Sequence, residues 1–266
     1  MYADEMPLGA DGQEQVRHGS PHFPVQYYVD ELYRFQERRV PLHWHTELEF
    51  FVASGGAVRI QVGNAALTLE DGWGIFLNAN ILHSFRQQQE EARCACPNVV
   101  FSDELIAPSG SRIHEAYIRP IIWNEAIPYV VLRPDTPWQN EMLAHLYRVF
   151  ALLQAYGPEG AYGAHPVLLY DGEIPKGDCF EMQVQRELSA AWQLLYCHLE
   201  EVPSIPVVRH AHQSQLRMQK MLEFIRTSYA SPVTLGEIAA AANISKSEAA
   251  RCFQAHMGLS PVRYLL

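Results

Sequence analysis

A chain of 266 residues is long for one domain and comfortable for two, each with its own core. Hydrophobic residues make up 48% of it and charged residues 19%, which is typical of a globular protein and excludes a disordered one. No apolar run approaches the roughly 20 residues that a membrane helix needs, so we expect no membrane partner.

Residues 1–20 are predicted to be a flexible tail. They are acidic and lack the basic start and apolar core of a signal peptide, so we expect a cytoplasmic protein. The five cysteines are scattered, and Cys94 and Cys96 have no second pair that would complete a zinc site. Reduced, mostly structural cysteines are therefore expected.

Residues 21–135 are predicted to form β structure. Short runs rich in aromatic and β-branched residues follow one another, and residues 58–62 alternate with the period of two that a half-buried strand shows. Gly55-Gly56 and Gly63-Asn64 separate such runs as tight turns. Many short strands at close spacing indicate a small antiparallel β-barrel or a double-sheet jelly roll.

A cluster of candidate ligands lies within this region. Alternate residues of a strand point to the same face, so His43 and His45 are expected to project together. Glu49 shares that parity, and His83 can join them from a neighbouring strand. Three imidazoles and one carboxylate can hold a divalent transition metal with positions left open. Metal ligands, polar contacts in a metal-free small-molecule pocket, and histidines simply packed in the core remain three interpretations.

Residues 136–200 are predicted to be a helical dimerisation region. Apolar residues recur at helical spacing over residues 138–156 and again over residues 180–199. Two such helices can cover the sheet, or they can pair with the same helices of a second subunit in a homodimer. Residues 201–213, with their prolines and polar runs, are predicted to be the interdomain linker.

Residues 214–266 are predicted to form a helix-turn-helix domain. Thr234 is a plausible N-cap for a first short helix, and Asn243 tolerates the left-handed conformation that ends it. Ser245 with Glu248 three residues later is a capping-box pattern that starts a second helix. This helix is predicted to bury Ala249, Cys252 and Phe253 and to stop at Gly258.

Charge is distributed unevenly between the two parts of the chain. The net charge is −10, which argues against nucleic acid as a partner of the chain as a whole. From Arg209 to the end, however, seven basic residues stand against three acidic ones, which gives +4 and leaves −14 for the remainder. A basic C-terminal module on an acidic body indicates a separate unit that faces phosphates.

Together these features resemble an AraC-type (AraC/XylS) transcriptional regulator. The stretch from His43 to Gly56 resembles the first motif of the cupin superfamily: His-x-His, three or four residues, Glu, six residues, Gly. The stretch from Gly72 to His83 resembles its second motif. Other residues stand where the family has a glycine, a proline or an asparagine, and these are Glu37, Asn78, Asn80 and Gln87.

The C-terminal part of the resemblance rests on Leu235 to Gly258, followed by Ser260-Pro261 before a new helix. The resemblance implies an α+β multi-domain fold, in which a cupin-like sensor barrel and a helical pair precede an all-α helix-turn-helix domain. Family members carry two helix-turn-helix units. This chain stops at Leu266, just inside the linker helix, so we expect the second unit to be missing and DNA binding to be weakened.

The resemblance also implies the function of a ligand-responsive, DNA-binding transcriptional regulator without enzyme activity. A small metabolite, a sugar in the simplest case, is expected in the barrel with His43, His45, Glu49 and His83 as polar contacts. No cofactor is required, although a divalent metal remains open. The second helix is expected to enter the major groove of DNA. Its candidate DNA-binding residues are Lys246, Ser247, Glu248, Arg251 and His256.

Two alternatives remain at this stage. The first is a metal-dependent cupin enzyme, an isomerase or a dioxygenase, with the same three histidines and Glu49 as metal ligands. The second is a regulator that dimerises and senses a ligand but no longer binds DNA by itself.

Overall fold

The computed structural model divides the chain into two compact units, Met1–Ile205 and Pro206–Leu266, here called the N-terminal and the C-terminal unit. Each is described by itself. The finer division into five segments stays a prediction. The described residues are 6–9, 12–63, 65–157, 169–174, 177–204, 217–218, 220–221, 224–225, 228, 233–257, 260–261 and 263.

Nine strands of the N-terminal unit form two antiparallel sheets. One has five strands in the order β1-β8-β3-β6-β9, and the other has four in the order β2-β7-β4-β5. The antiparallel fold is confirmed in its double-sheet form, since the described pairings give two separate sheets. The strands are β1 (Val25–Glu31), β2 (Arg39–His43), β3 (Leu48–Val52), β4 (Val58–Val62), β5 (Ala65–Leu69), β6 (Gly74–Leu77), β7 (His83–Gln87), β8 (Ala95–Phe101) and β9 (Tyr129–Leu132).

Alternation in the sequence decides which strand faces are buried. In β4, Val58, Ile60 and Val62 are buried while Arg59 and Gln61 are exposed, as the period of two predicts. The hairpin between β4 and β5 is confirmed by their pairing, although Asn64 itself lies outside the described residues.

Two long helices cover the outer face of the five-stranded sheet. The ring of Tyr27 in β1 packs against Phe150 at a centroid distance of 5.5 Å, and the ring of Phe76 in β6 meets Trp192 edge-on at 5.7 Å. Burial of these apolar faces provides most of the core of this unit. The helices are α1 (Arg119–Ile122, preceded by a π-turn at His114–Ile118), α2 (Pro137–Tyr156) and α3 (Phe180–Cys197).

The space between the two sheets has an apolar and a polar part. Phe51 of β3 and Phe85 of β7 stack at 4.0 Å across it, within a cluster of buried aliphatic side chains. The polar part holds buried histidines and carboxylates, among them His43, His83 and Glu49. The fold therefore places a polar site inside the domain, walled by both sheets.

The segment expected to be a loose tail differs from that expectation over its described residues. Gln13 forms a parallel bridge with Trp44, and Leu8 an antiparallel one with Glu14. His18 is buried, and its Nδ1 lies 2.8 Å from the hydroxyl of Tyr28. Backbone pairing with the chain between the two sheets fixes this segment. No apolar periodicity in residues 1–20 predicts this pairing.

The C-terminal unit contains the two short helices that the sequence predicts, α4 (Leu235–Ala241) and α5 (Lys246–Met257). Thr234 caps α4 through a full capping box with Glu237, and Asn243 takes the left-handed conformation at φ +53° between the helices. Around Ile238, Ala239, Ala249, Cys252 and Phe253 they share a core with Met218, Met221 and Ile225.

Parts of the predicted leading helix and of the linker lie outside the described residues. Residues 217–218, 220–221, 224–225 and 228 are helical, as the apolar spacing predicts, whereas residues 205–216 are not described. None of the five cysteines forms a disulfide within the described part of the chain, and Cys94, Cys96 and Cys252 are buried. Among the described helices, none combines the length and apolar character needed to cross a bilayer.

Candidate functional site

Four predicted side chains meet between the two sheets. His43 ends β2 and is directly paired with His83, which begins β7 of the same sheet. Glu49 lies on β3 of the opposite sheet, and His45 lies in the crossing segment between them. The prediction that they converge therefore agrees with the structure, but its reason was wrong for Glu49. The chain changes sheet after His45, so Glu49 reaches the cluster from the facing wall and not along one strand.

The reactive atoms of these side chains are close together. The Oε2 atom of Glu49 lies 3.3 Å from Nε2 of His45 and 3.2 Å from Nε2 of His83. Ligand atoms of His43, His45 and His83 all lie within 4.8 Å of one another. Each of the four side chains is less than 5% exposed. This is the geometry of one site and not of four independently packed residues.

Backbone carbonyls orient each of the three imidazoles. Nδ1 of His43 lies 2.8 Å from the carbonyl of Pro41, and Nδ1 of His83 lies 2.7 Å from that of Ile81. Nδ1 of His45 lies 3.1 Å from the carbonyl of Glu47. Because a carbonyl only accepts, each Nδ1 carries the proton, and in the neutral ring Nε2 keeps its lone pair. Protein metal sites prepare histidine ligands in this way.

Burial and neighbouring charges shift the pKa values of Glu49 and His43. Burial acts to raise the pKa of the Glu49 carboxyl, but hydrogen bonds and positive charge from His45 and His83 outweigh it and hold this pKa well below its usual range. Burial, followed by the charges of His83 and His45, lowers the pKa of His43 well below its ordinary value. Glu49 is thus an anion and His43 a neutral base near pH 7.

A proton or a metal ion must lie between Glu49 and the rings that face it. The carboxylate oxygen of Glu49 and the Nε2 lone pair of His83 are both acceptors. Because they lie only 3.2 Å apart, they need either a proton or a metal ion between them. Nε2 of His83 has no hydrogen bond of acceptable geometry among the described residues, although it is buried. The residues therefore fit a divalent metal that takes imidazole nitrogen and carboxylate oxygen, which is the donor set of zinc and similar ions.

Two departures from the cupin pattern have a structural explanation in the loop before His83. Asn80 stands where the family has glycine, and its backbone is left-handed at φ +60°, a conformation that Asn tolerates. Its N–H donates to the carbonyl of His45 at 2.8 Å, so this turn supports the site. Asn78, in place of proline, donates through Nδ2 to the carbonyls of Ile121 and Ile127 at 3.1 and 3.0 Å.

The remaining two departures lie further from the ligands. Gln87 donates through Nε2 to the carbonyls of Gln89 and Ala92, both at 2.7 Å, and so braces the loop after β7. Glu37, where the first motif has its leading glycine, is exposed and left-handed at φ +55°. At both positions where the family has glycine, Glu37 and Asn80, the backbone of this chain is left-handed.

Sequence reasoning missed two residues of the site. Glu14 and His18, from the N-terminal segment, lie beside His43 and His45. The Glu–x–x–x–His spacing was visible in the sequence, but no motif connected it with residues 43–49. The backbone pairing of Gln13 with Trp44 is what places Glu14 and His18 beside these residues.

The C-terminal unit presents the second candidate site on the first turns of α5. Lys246, Ser247 and Arg251 are exposed there, as predicted. Glu248 is half-buried: its N–H donates to Ser245 Oγ at 3.2 Å, and its carboxylate pairs with Arg217. Glu248 is therefore occupied within the unit, and the side chain of His256 lies outside the described residues.

Comparisons with known proteins found a matching family and a similar regulator. Residues 225–266 match the family described as bacterial regulatory helix-turn-helix proteins, AraC family. The uncharacterized HTH-type transcriptional regulator YdeC of Bacillus subtilis (strain 168) is 24% identical over 263 residues, which cover 96% of this chain and 78% of that protein.

Two solved structures were also found to be similar. The AraC-like transcriptional activator CuxR is 10% identical, with 91% of this chain and 70% of that one covered and a TM-score of 0.42. ToxT from Vibrio cholerae is 10% identical, with 94% and 98% covered and a TM-score of 0.42. Both likenesses are remote.

The capped pair α4 and α5, with its matching family, defines a helix-turn-helix DNA-binding protein that carries a separate double-sheet domain. Residues 225–266 are similar to the helix-turn-helix of AraC-family regulators, and the chain as a whole is similar to an HTH-type transcriptional regulator. The resemblance that the sequence suggested is thereby confirmed.

Proposed function

We propose that this regulator senses a small ligand between the sheets of its N-terminal unit and binds DNA through α5. The observation that carries the proposal is the buried cluster of His43, His45 and His83, with the Glu49 carboxylate beside His45 and His83. A buried polar group costs free energy unless it has a partner, so such a cluster is typical of a binding site. The resemblance implies a small metabolite such as a sugar.

The DNA interface comprises the exposed side chains at the start of α5. Residues in the first turns of a recognition helix reach deepest into the major groove, which favours Lys246 and Ser247 for base edges and Arg251 for a base or a phosphate. Glu248 belongs to this surface, but its pairing with Arg217 makes it a supporting residue. His256 stays a candidate phosphate contact.

A homodimer in the cytoplasm completes the proposal. Two subunits on one duplex offer twice as many phosphate and base contacts as one subunit does. Both α2 and α3 carry an apolar face toward the five-stranded sheet, so a dimer contact uses their outer surfaces, where Met182 is 71% exposed. Sedimentation equilibrium of the purified chain, with and without an upstream DNA fragment, measures the oligomeric state.

Fluorescence anisotropy with a labelled upstream DNA fragment tests DNA binding. We expect salt-sensitive binding by the unchanged chain and a loss of at least about tenfold for Lys246→Ala/Arg251→Ala, since each phosphate or base contact is worth about 1 kcal/mol or more. The matched control is Arg59→Ala/Arg86→Ala, which removes two exposed cations from the sheet. Equal losses in both variants would count against α5 as the interface.

The metal-dependent isomerase or dioxygenase predicted as the alternative uses the same cluster. The match to a regulatory family supports the sensor over the enzyme. Whether the cluster holds a metal is a separate question, because a metal can be the signal as well as a catalyst.

A further inference from the structure

The loop between β6 and β7 crosses from one sheet to the other and ends at the site. It consists of residues 78–82, is here called the site loop, and is followed by His83 as the first residue of β7. Within it, Asn80 donates its N–H at 2.8 Å to the carbonyl of His45, which lies in the other crossing segment. A ligand that contacts His45 and His83 therefore contacts two parts of one hydrogen-bonded unit.

Asn78 ties the start of the site loop to the segment that precedes β9. Its Nδ2 donates to the carbonyls of Ile121 and Ile127 at 3.1 and 3.0 Å, and its N–H donates to the carbonyl of Pro128 at 3.0 Å. Its Oδ1 accepts from the N–H of Ala79 at 2.9 Å. Proline, which the cupin pattern has at this position, has neither a backbone N–H nor a side-chain amide and could make none of these bonds.

The segment that Asn78 holds is continuous with a helix that contacts α3. α1 follows directly on the π-turn at His114–Ile118. The indole N–H of Trp192 in α3 donates to the carbonyl of Tyr117 within this turn at 3.0 Å. The ring of Trp192 also meets that of Phe76 in β6, the strand that leads into the site loop, at a centroid distance of 5.7 Å. Two sets of contacts thus join the site loop to α3, and they meet at Trp192.

The π-turn is an element that changes in discrete steps. Its hydrogen bonds run from residue i to i+5, whereas those of an α-helix run from i to i+4, so the two forms differ by one whole residue. Helical residues 112–113 and α1 flank it on either side. Because the indole of Trp192 donates into the turn, a change of its hydrogen-bond partners would also change the environment of Trp192. Elements of this kind convert a small displacement into a discrete one.

We propose that Asn78 is the positioning residue through which the state of the site between the sheets reaches α3, the last long helix before the predicted linker. A ligand that draws His45 and His83 together moves the site loop, Asn78 moves residues 121–128 with it, and the π-turn carries the change to Trp192. This inference rests on the proposed function, in which the interior between the sheets is the sensing site. It adds the residue that transmits the signal.

A double-mutant cycle within the N-terminal unit is the test, and the exchange rate of the Trp192 indole proton is the readout. Labelling with indole-¹⁵N tryptophan gives one NMR signal for each of the five tryptophans, and Trp192→Phe assigns that of Trp192. His83→Gln changes the site, and Asn78→Ala removes the amide. We expect His83→Gln to change this rate at least about threefold in the unchanged chain and less than about 1.5-fold in the Asn78→Ala chain, since coupled residues are not additive.

Gln87→Ala is the matched control for the loss of a buried amide. Gln87 is buried like Asn78, and its Nε2 also donates to two backbone carbonyls, those of Gln89 and Ala92. It lies at the opposite end of β7 from His83 and has no hydrogen bond to residues 121–128 among those recorded for its side chain. We therefore expect it to destabilise the unit as Asn78→Ala does but to leave the threefold effect of His83→Gln intact.

His43→Gln repeats the cycle with a second change at the site, so that the result does not depend on the folding of one variant. Its backbone pairs directly with that of His83. The inference is overturned if both changes leave the exchange of the Trp192 proton unaffected in the unchanged chain. It is also overturned if they act equally in the Asn78→Ala and Gln87→Ala chains.

DNA anisotropy of the same proteins keeps this result separate from the proposed function, because every group in the cycle belongs to the N-terminal unit. DNA binding without coupling in the cycle rejects the role of Asn78 and keeps the regulator. Coupling in the cycle without any DNA binding rejects the DNA-binding part of the proposed function and keeps the role of Asn78.

Discussion

Asn80 occupies a backbone conformation that few side chains tolerate, and the site depends on it. Its N–H holds the carbonyl of His45 while its φ is +60°. We predict that Asn80→Ala destabilises the N-terminal unit by about 1 kcal/mol, because alanine lacks the short polar side chain that lets Asn offset left-handed strain by local hydrogen bonding. Asn80→Gly, which is free of that strain, should stay within about 1 kcal/mol of the unchanged chain. Urea unfolding followed by tryptophan fluorescence measures both, and equal effects would contradict the account.

His43 and His18 differ in the sign of their pKa shift. Burial, followed by His83 and His45, lowers the pKa of His43 below 6.5. Burial acts to lower the pKa of His18 too, but a hydrogen bond with Glu14 and the nearby carboxylate charges raise it overall above 6.5. The unfolded chain titrates both near 6.5.

The stability of the metal-free chain should therefore depend on these two residues in opposite ways. Below pH 6.5, His43 binds a proton in the unfolded state but not in the folded state. The free energy of unfolding therefore falls as the pH falls, by at most about 1.4 kcal/mol per pH unit. Above pH 6.5 folded His18 keeps a proton that the unfolded chain has lost, so stability falls as the pH rises. His43→Gln should flatten the acid side of the urea-midpoint profile and His18→Gln the alkaline side. A change on the same side in both variants would contradict these shifts.

At the scale of elements, the start of α4 has a cap that can be removed without touching the core. Glu237 donates its N–H to Oγ1 of Thr234 at 3.3 Å, and Thr234 donates its own N–H to the Glu237 carboxylate at 2.9 Å. We predict that Thr234→Ala costs about 1 kcal/mol and speeds hydrogen exchange in the first turn of α4. Thr234→Ser keeps the hydroxyl and should exchange like the unchanged chain. Slow exchange in both would mean that packing, and not the cap, holds the helix.

Glu248 on α5 restrains a basic residue of the same unit. Its carboxylate pairs with Arg217, which is partly exposed. Glu248→Gln removes a negative charge from the DNA-facing helix and frees a guanidinium. We predict tighter binding to any duplex at low salt and a steeper salt dependence, by about 0.9 in the slope of log K against log salt for one further phosphate contact. If affinity instead falls for one sequence alone, Glu248 reads a base, for which cytosine N4 is the donor that suits a carboxylate.

Local patterns made the helix-turn-helix predictable, and long-range pairing limited the prediction of the sensing site. The cap at Thr234, the left-handed Asn243 and the buried Phe253 all follow from a few neighbouring residues. The convergence of His43 with His83 needed only an antiparallel neighbour. Glu14 could not be placed, because a single bridge between Gln13 and Trp44, about 30 residues apart in the chain, decides its position.

At the scale of the whole molecule, sensing requires that the site between the sheets and α5 bias one equilibrium. A ligand that binds two arrangements of the chain equally shifts neither of them. The coupling is reciprocal: if a metal ion changes DNA affinity by some factor, DNA changes metal affinity by the same factor. Typical couplings of 1 to 3 kcal/mol correspond to about 5- to 150-fold.

We therefore predict matched factors in two independent titrations. DNA anisotropy is measured with and without saturating Co²⁺ as the probe ion for the clustered histidines, and cobalt affinity is measured with and without a saturating upstream DNA fragment. His43→Ala, which removes one of the clustered imidazoles, should shrink both factors together. Lys246→Ala/Arg251→Ala should weaken DNA binding without changing cobalt affinity in the absence of DNA. Both factors equal to one, with intact binding at each site, would show that the two units act independently. The metal would then be a structural ion, since an ion that only stabilises the N-terminal unit by mass action leaves the affinity for DNA unchanged.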